Sequence, residues 1–94
     1  MGLLFEWDPK KALRNVKTHG ISFDEASTAF RDPLSRTIND PLHSEDEERV
    51  VLIGHSVRWR LLVVVHTARG DRIRIISARL ATNKERSKYE ENEE

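Results

Sequence analysis

Cysteine is absent from the 94 residues. That excludes disulfides, thiolate catalysis, cysteine-based zinc sites and iron–sulfur clusters, and it favours a cytoplasmic protein. No apolar run approaches the ~20 residues of a membrane span; the longest core-like stretch covers residues 61–65. The opening MGLLFEWDPKK has neither a basic leader nor a long apolar segment, so no secretory signal is expected. A Gly-rich phosphate loop and a nucleophile elbow are both missing, and Ser77 has no evident base partner. His19, His43, His55 and His66 never pair at the i, i+4 spacing of a helical zinc site. The acidic run at 45–48 lacks the spaced ligands and turn glycine of a calcium loop. An excess of one charge is lacking too: 16 Lys+Arg face 16 Asp+Glu.

That balance is uneven along the chain. Residues 1–38 carry +1, residues 39–50 carry −4, residues 51–88 carry +7 and the last six carry −4. The C-terminal half is therefore a basic body framed by two acidic segments. Most of its cations are arginines, whose planar fork suits phosphate. With 37% apolar and 34% charged residues, a chain of this length makes one domain that buries roughly 60–65% of its unfolded surface.

Residues 3–7 read as a first strand. Asp8-Pro9 then opens a helix with Ala12, Leu13 and Val16 on one face, and Gly20 closes it. Ser22 to Glu25 has capping-box spacing and starts a second helix through Ala26, Ala29 and Phe30, which ends before Asp32-Pro33. A short strand is expected at 35–39, and a helical turn or loop at 44–48. Three further strands follow at 49–54, 59–67 and 72–79. Gly70-Asp71 marks a hairpin, and the short connections require antiparallel neighbours. Thr82 to Glu85 repeats the capping-box spacing and opens a last helix that carries Tyr89. The expected fold is α+β: two N-terminal helices on a mostly antiparallel sheet of four to five strands, with residues 61–65 central and a C-terminal helix. One domain spans 1–94, with 90–94 as an acidic, frayed tail.

What remains is chemistry that needs only charge and proton transfer, and cleavage of RNA by its own 2′-hydroxyl is such a reaction. The nucleophile lies in the substrate; the protein moves protons and stabilises charge on phosphorus. Lys17, His19, Glu48, His66 and Tyr89 are the proton-transfer candidates, and Arg49, Arg69, Arg74 and Arg79 the phosphate clamps. Each has a purely structural alternative. Lys17 suits a solvated helix face, His19 a helix C-terminus, Glu48 and Arg49 a strand entry, Arg79 a strand rim. His66 is equally a hydrogen-bonded core histidine and Tyr89 a helix anchor. Arg74, alternating with Ile73 and Ile75, points to the opposite sheet face.

FEWDPKKALRNVKTHGISFDEA at 5–26, DP at 32–33, ERVVLIG at 48–54, LLVVVHTARG at 61–70 and RIRIISARLATNKERSKYE at 72–90 together resemble the BrnT family of type II toxins. The resemblance implies a ribonuclease toxin with a RelE-like fold that inhibits translation by cutting RNA without metal or other cofactor. It also implies a co-encoded, DNA-binding BrnA-like antitoxin through which alone the complex reaches operator DNA. The resulting assignment has Arg79, Arg74, Glu48, His19 and Tyr89 as catalytic residues, and Lys17, Arg14, Arg49, Arg69 and Arg72 as RNA-binding residues. Trp59 or an open sheet edge is the expected antitoxin contact. The competing reading is a non-enzymatic or degenerate toxin-like module whose basic face docks an acidic partner or nucleic acid.

Overall fold

The structure, a computed structural model, describes residues 2–39 and 49–91. Its elements are β1 (Leu4–Glu6), α1 (Pro9–His19), α2 (Phe23–Thr28) continued by a 3-10 turn (Ala29–Arg31), β2 (Arg36–Asn39), β3 (Val50–His55), β4 (Leu61–Arg69), β5 (Arg72–Leu80) and α3 (Asn83–Glu90). The segment expected as a turn at 44–48 and tail residues 92–94 lie outside the described residues.

Local chemistry explains where the helices begin and end. The Asp8 carboxylate accepts the Lys10 N–H at 2.8 Å, with Pro9 at the first helical position. Gly20 ends α1 at φ 73°, in the left-handed region, and its N–H returns to the Val16 carbonyl at 2.8 Å. Ser22 caps α2 through the Glu25 N–H. Asp32 turns to extended geometry before Pro33, as steric clash with the proline ring demands. At α3 the Thr82 hydroxyl and Glu85 carboxylate cap each other's amides.

The five strands are ordered β1-β5-β4-β3-β2. β1 runs parallel to β5, and every other neighbouring pair is antiparallel. β4 is the central strand, as its β-branched run predicts. Gly70 has φ 63° in the two-residue connection between paired Arg69 and Arg72, while Asp71 has no positive φ, which makes a type II′ turn. The other hairpin departs from the sequence expectation. Trp59 was expected inside β4 but sits in the 56–60 turn with φ 61°. A bulky residue there carries roughly 1–2 kcal/mol of strain. Hydrogen bonds of the turn amides hold it in place, among them Trp59 N–H to the Ser56 carbonyl at 2.9 Å.

Helices α1 and α2 cover one face of the sheet, where Ile21, Phe23, Leu62, Val64, Ile75 and Ala78 form the main core. Each large apolar side chain buried there contributes about 1.5–3 kcal/mol. α3 crosses the other face, and Tyr89 packs on Ile53, Leu61 and Val63. The α1 face differs from the apolar pattern: Ala12 packs inward, Leu13 and Val16 are exposed, and the buried residue is Asn15. Its Nδ2 donates to the carbonyls of Ile21 (2.9 Å) and Ala78 (2.8 Å), and its Oδ1 accepts the Ala78 N–H at 3.2 Å. β1 pairs with β5 only at residues 72–74, so the Asn15 amide takes the place of a strand partner at Ala78. A second tie is ionic. Arg60 grips Glu25, with Nε to Oε2 at 2.9 Å, while Ser56 Oγ donates to the same oxygen at 2.7 Å. The Arg60 hydrogen bonds, outweighing burial, hold the Glu25 carboxyl below its ordinary range.

Candidate nucleic-acid interface

Strict alternation along β5 would place Arg74 and Arg79 on opposite faces. A register shift at Val65/His66 prevents this: Val65 pairs with Ser77 and His66 with Ile75, leaving Ile76 as the extra residue of a β-bulge. Arg72, Arg74, Ser77 and Arg79 therefore share the face opposite α1 and α2, with Ile75 and Ala78 left on the core side.

Both leading phosphate clamps already hold carboxylates. Arg79 forms a bidentate pair with Glu85, Nη1 to Oε1 at 2.9 Å and Nη2 to Oε2 at 2.8 Å. That pairing pulls the Glu85 carboxyl down to about 2. Arg74 Nη1 bonds Glu6 Oε2 at 2.9 Å across the β1–β5 pair. Their charge is locally balanced, and an incoming phosphate has to compete with a carboxylate at each.

Positive charge without an ion-pair partner gathers elsewhere. A cleft of about 310 Å³ separates α1 from the bulge, bordered by Lys11, Arg14, Thr18 and His19 on one side and Ile76 and Ser77 on the other. It brings two of the sequence-predicted residues, Arg14 and His19, together with three that the sequence did not single out as a group: Lys11, Thr18 and Ser77. No carboxylate borders it, and among the described residues neither Lys11 nor Arg14 has an ion-pair partner. The field reaches beyond the cleft. Asp8 is held below its ordinary range first by the Lys10 amide, then with help from the charges of Lys11 and Arg74. Lys17 is exposed on α1, three residues beyond Arg14, without bordering the cleft. Arg69 and Arg72 are exposed beside the β4–β5 turn, and half-buried Arg49 precedes β3. Glu48 lies outside the described residues.

Tyr89 is not in this cleft. It is buried on the β3 side of the sheet, where its hydroxyl donates to Asp32 Oδ2 at 2.5 Å and meets His55 Nδ1 at 3.1 Å. Burial pushes the Asp32 carboxyl up, but hydrogen bonds from the His55 amide, the Tyr89 hydroxyl and the Leu34 amide outweigh it and keep the group ionised. His66 takes its structural role: buried edge-on against Phe30 with 4.8 Å between ring centroids, it is held neutral by burial. Among the described residues no three His, Cys, Asp or Glu side chains gather as metal ligands. No described helix is long and apolar enough to cross a membrane.

A family model described as "Ribonuclease toxin, BrnT, of type II toxin-antitoxin system" matches residues 7–85. A crystal structure of the Brucella abortus ribonuclease toxin BrnT superimposes with a TM-score of 0.63 at 20% identity, covering 87% of this chain and 100% of that one. At that identity the likeness is one of fold. No curated protein matches the chain.

Proposed function

Because the chain belongs to the BrnT family of ribonuclease toxins in type II toxin–antitoxin systems, we propose that it cleaves RNA without a metal ion, through attack of the 2′-hydroxyl, and so inhibits translation. The observation that carries this reading is the α1–β5 cleft, where Lys11, Arg14 and His19 converge with no carboxylate on its border. Lys11 and Arg14 neutralise the charge that grows on the phosphorane, and the Ser77 hydroxyl donates to a phosphate oxygen. His19 takes the 2′-proton as the 2′-oxygen bonds phosphorus and the bond from phosphorus to the 5′-oxygen breaks. Water protonates the leaving 5′-oxygen. Lys17, Arg69 and Arg72 extend the positive surface along the RNA backbone, while Arg74 stays paired with Glu6. Arg79 acts by holding α3 through Glu85, and Tyr89 acts by positioning.

The family implies an antitoxin protein as partner and RNA as target. A BrnA-like antitoxin that carries the operator contact, in a cytoplasmic complex, is the finer reading we propose. Single-turnover cleavage of labelled RNA in excess chelator tests the mechanism. The wild type should leave a 2′,3′-cyclic phosphate, and the Lys11→Ala/Arg14→Ala double variant should cut about 100-fold more slowly. Complete loss of wild-type cleavage with chelator, or full activity in the double variant, would sink it.

A further inference from the structure

A second concave site lies at the end of β3, and the cleavage reaction described above makes no use of it. Arg31, Asp32, His55, Val57 and Trp59 border a cleft of about 320 Å³ there. Hydrogen bonds tie its polar groups together. The ionised Asp32 carboxylate can only accept hydrogen bonds, so the single Tyr89 hydroxyl proton goes to Oδ2 at 2.5 Å. The phenolic oxygen then accepts from His55 Nδ1 at 3.1 Å. With Nδ1 donating to Tyr89 and lying 3.7 Å from Asp32 Oδ2, the neutral form of the imidazole is the one with its lone pair on Nε2, across the ring from Tyr89.

Beside this imidazole stands Trp59, its ring centroid 6.2 Å from that of His55. The indole is 83% exposed, so core packing does not explain its strained φ of 61°. The turn imposes that strain with four successive amides: Ser56 N–H to the Arg60 carbonyl, Val57 N–H to Thr28 Oγ1, Arg58 N–H to Ser56 Oγ and Trp59 N–H to the Ser56 carbonyl. A bulky side chain held in an unfavourable backbone region and presented to solvent is the pattern of a ligand contact.

We propose that this cleft binds one base of the single-stranded RNA flanking the cut, with Trp59 as the stacking face and His55 Nε2 accepting from an exocyclic amine. The inference rests on RNA being the substrate. An acceptor at Nε2 meets a donor on adenine or cytosine and a carbonyl oxygen at the matching position of uracil, so the subsite favours adenine or cytosine. A nucleotide fits better than the apolar face of a protein helix. The exposed Val57 and Trp59 are interrupted by Arg58 and flanked by Arg31 and Asp32, so the apolar surface is small and broken by charge around one directed acceptor. His55 lies two strands across and about four residues along from Ser77, on the order of 15–20 Å, a span of a few nucleotides.

Binding of 2′-O-methyl oligoadenylate, oligocytidylate and oligouridylate, which cannot be cut by 2′-attack, tests the subsite by fluorescence anisotropy. The wild type should bind the adenylate or cytidylate several-fold more tightly than the uridylate. Trp59→Gly places at φ 61° the residue suited to it, so it should melt no lower than the wild type while binding all three about tenfold more weakly. His55→Phe, which keeps a ring but no acceptor, should lose the base preference. Tyr89→Phe should lose it too with uridylate affinity unchanged, because Tyr89 acts only by orienting His55. Unchanged affinity in Trp59→Gly, or an intact preference in His55→Phe, overturns the subsite. If Trp59→Gly binds RNA normally but loses antitoxin, the patch belongs to the protein interface and the inference is likewise overturned. A wild type that binds none of the three oligonucleotides overturns the RNA reading itself.

Discussion

Asn15 occupies the inward position that helical periodicity reserves for an apolar side chain, and its amide closes the open edge of β5 in place of a strand. Replacing it with alanine leaves the Ala78 N–H and the carbonyls of Ala78 and Ile21 to find other partners. The expected cost is about 3 kcal/mol in urea denaturation, at about 1–3 kcal/mol for each buried group left unpaired. Asn15→Asp should be at least as damaging, since a carboxylate accepts from Ala78 but sets its second oxygen against two carbonyls. Wild-type stability in Asn15→Asp would remove this account. None of it was legible in the sequence, where the apolar pattern put Leu13 and Val16 inward. The need for a polar side chain appears only once β1 is seen to stop at the Glu6–Arg74 pair. The Arg79–Glu85 pair was hidden for a related reason. The capping box announces Glu85 to its own helix, but not to an arginine on the preceding strand.

The elements were legible wherever their determinants are local. Asp8-Pro9, Gly20, Ser22, Gly70-Asp71 and Thr82 each do their work within a few residues, and the structure places a cap or a turn at every one. The parallel pairing of β1 and the bulge at Ile76 depend on distant strands, and no local pattern reports them. Gly54 records one such distant constraint. A Cβ there would sit 2.9 Å from the Ala29 carbonyl oxygen and 3.0 Å from the Ser35 Cβ, so β3 passes directly under the 3-10 turn. Gly54→Ala should cost roughly 1–3 kcal/mol by displacing backbone, measured as a lower urea midpoint with an unchanged slope.

α3 carries a pH dependence of definite sign. Glu85 titrates at about 2 in the fold against an ordinary 4.5. Its contribution is therefore complete above pH 4.5 and is lost as the pH falls towards 2. Glu25 and Asp32 are shifted the same way, so their contributions are also lost on the acid side. His66, held neutral by burial, adds a loss that starts below its ordinary 6.5. Urea midpoints across this range should fall with acidity, and less steeply for Glu85→Gln. At neutral pH that substitution should cost about 1 kcal/mol, a modest figure because the Arg79 side of the pair is solvent-screened. An identical acid profile in wild type and variant would contradict the assignment.

At the scale of the molecule, a net charge of zero concealed separated charges. Segment arithmetic pointed to the basic half, and to that extent the interface could be read from composition. Composition does not tell paired cations from unpaired ones: Arg74 and Arg79 hold carboxylates, and among the described residues Lys11 and Arg14 do not. The salt dependence of RNA binding measures the difference. If both residues contact phosphate, the Lys11→Ala/Arg14→Ala variant should reduce the slope of log K against log salt by about 1.4, at about 0.7 per phosphate on a single strand. An unchanged slope would place the RNA elsewhere.

The closure of the sheet by its first strand also sets a timetable. Glu6 meets Arg74 across 68 residues, Asn15 meets Ala78 across 63, and Asp32 meets Tyr89 across 57. Contacts so distant in sequence fold slowly and late. The α1 side of the cleft has no opposing wall until β5 has been synthesised, so a partly made chain cannot assemble the surface that would cut RNA. The cleavage site proposed above is thus complete only in a chain extended through β5, which ends at Leu80.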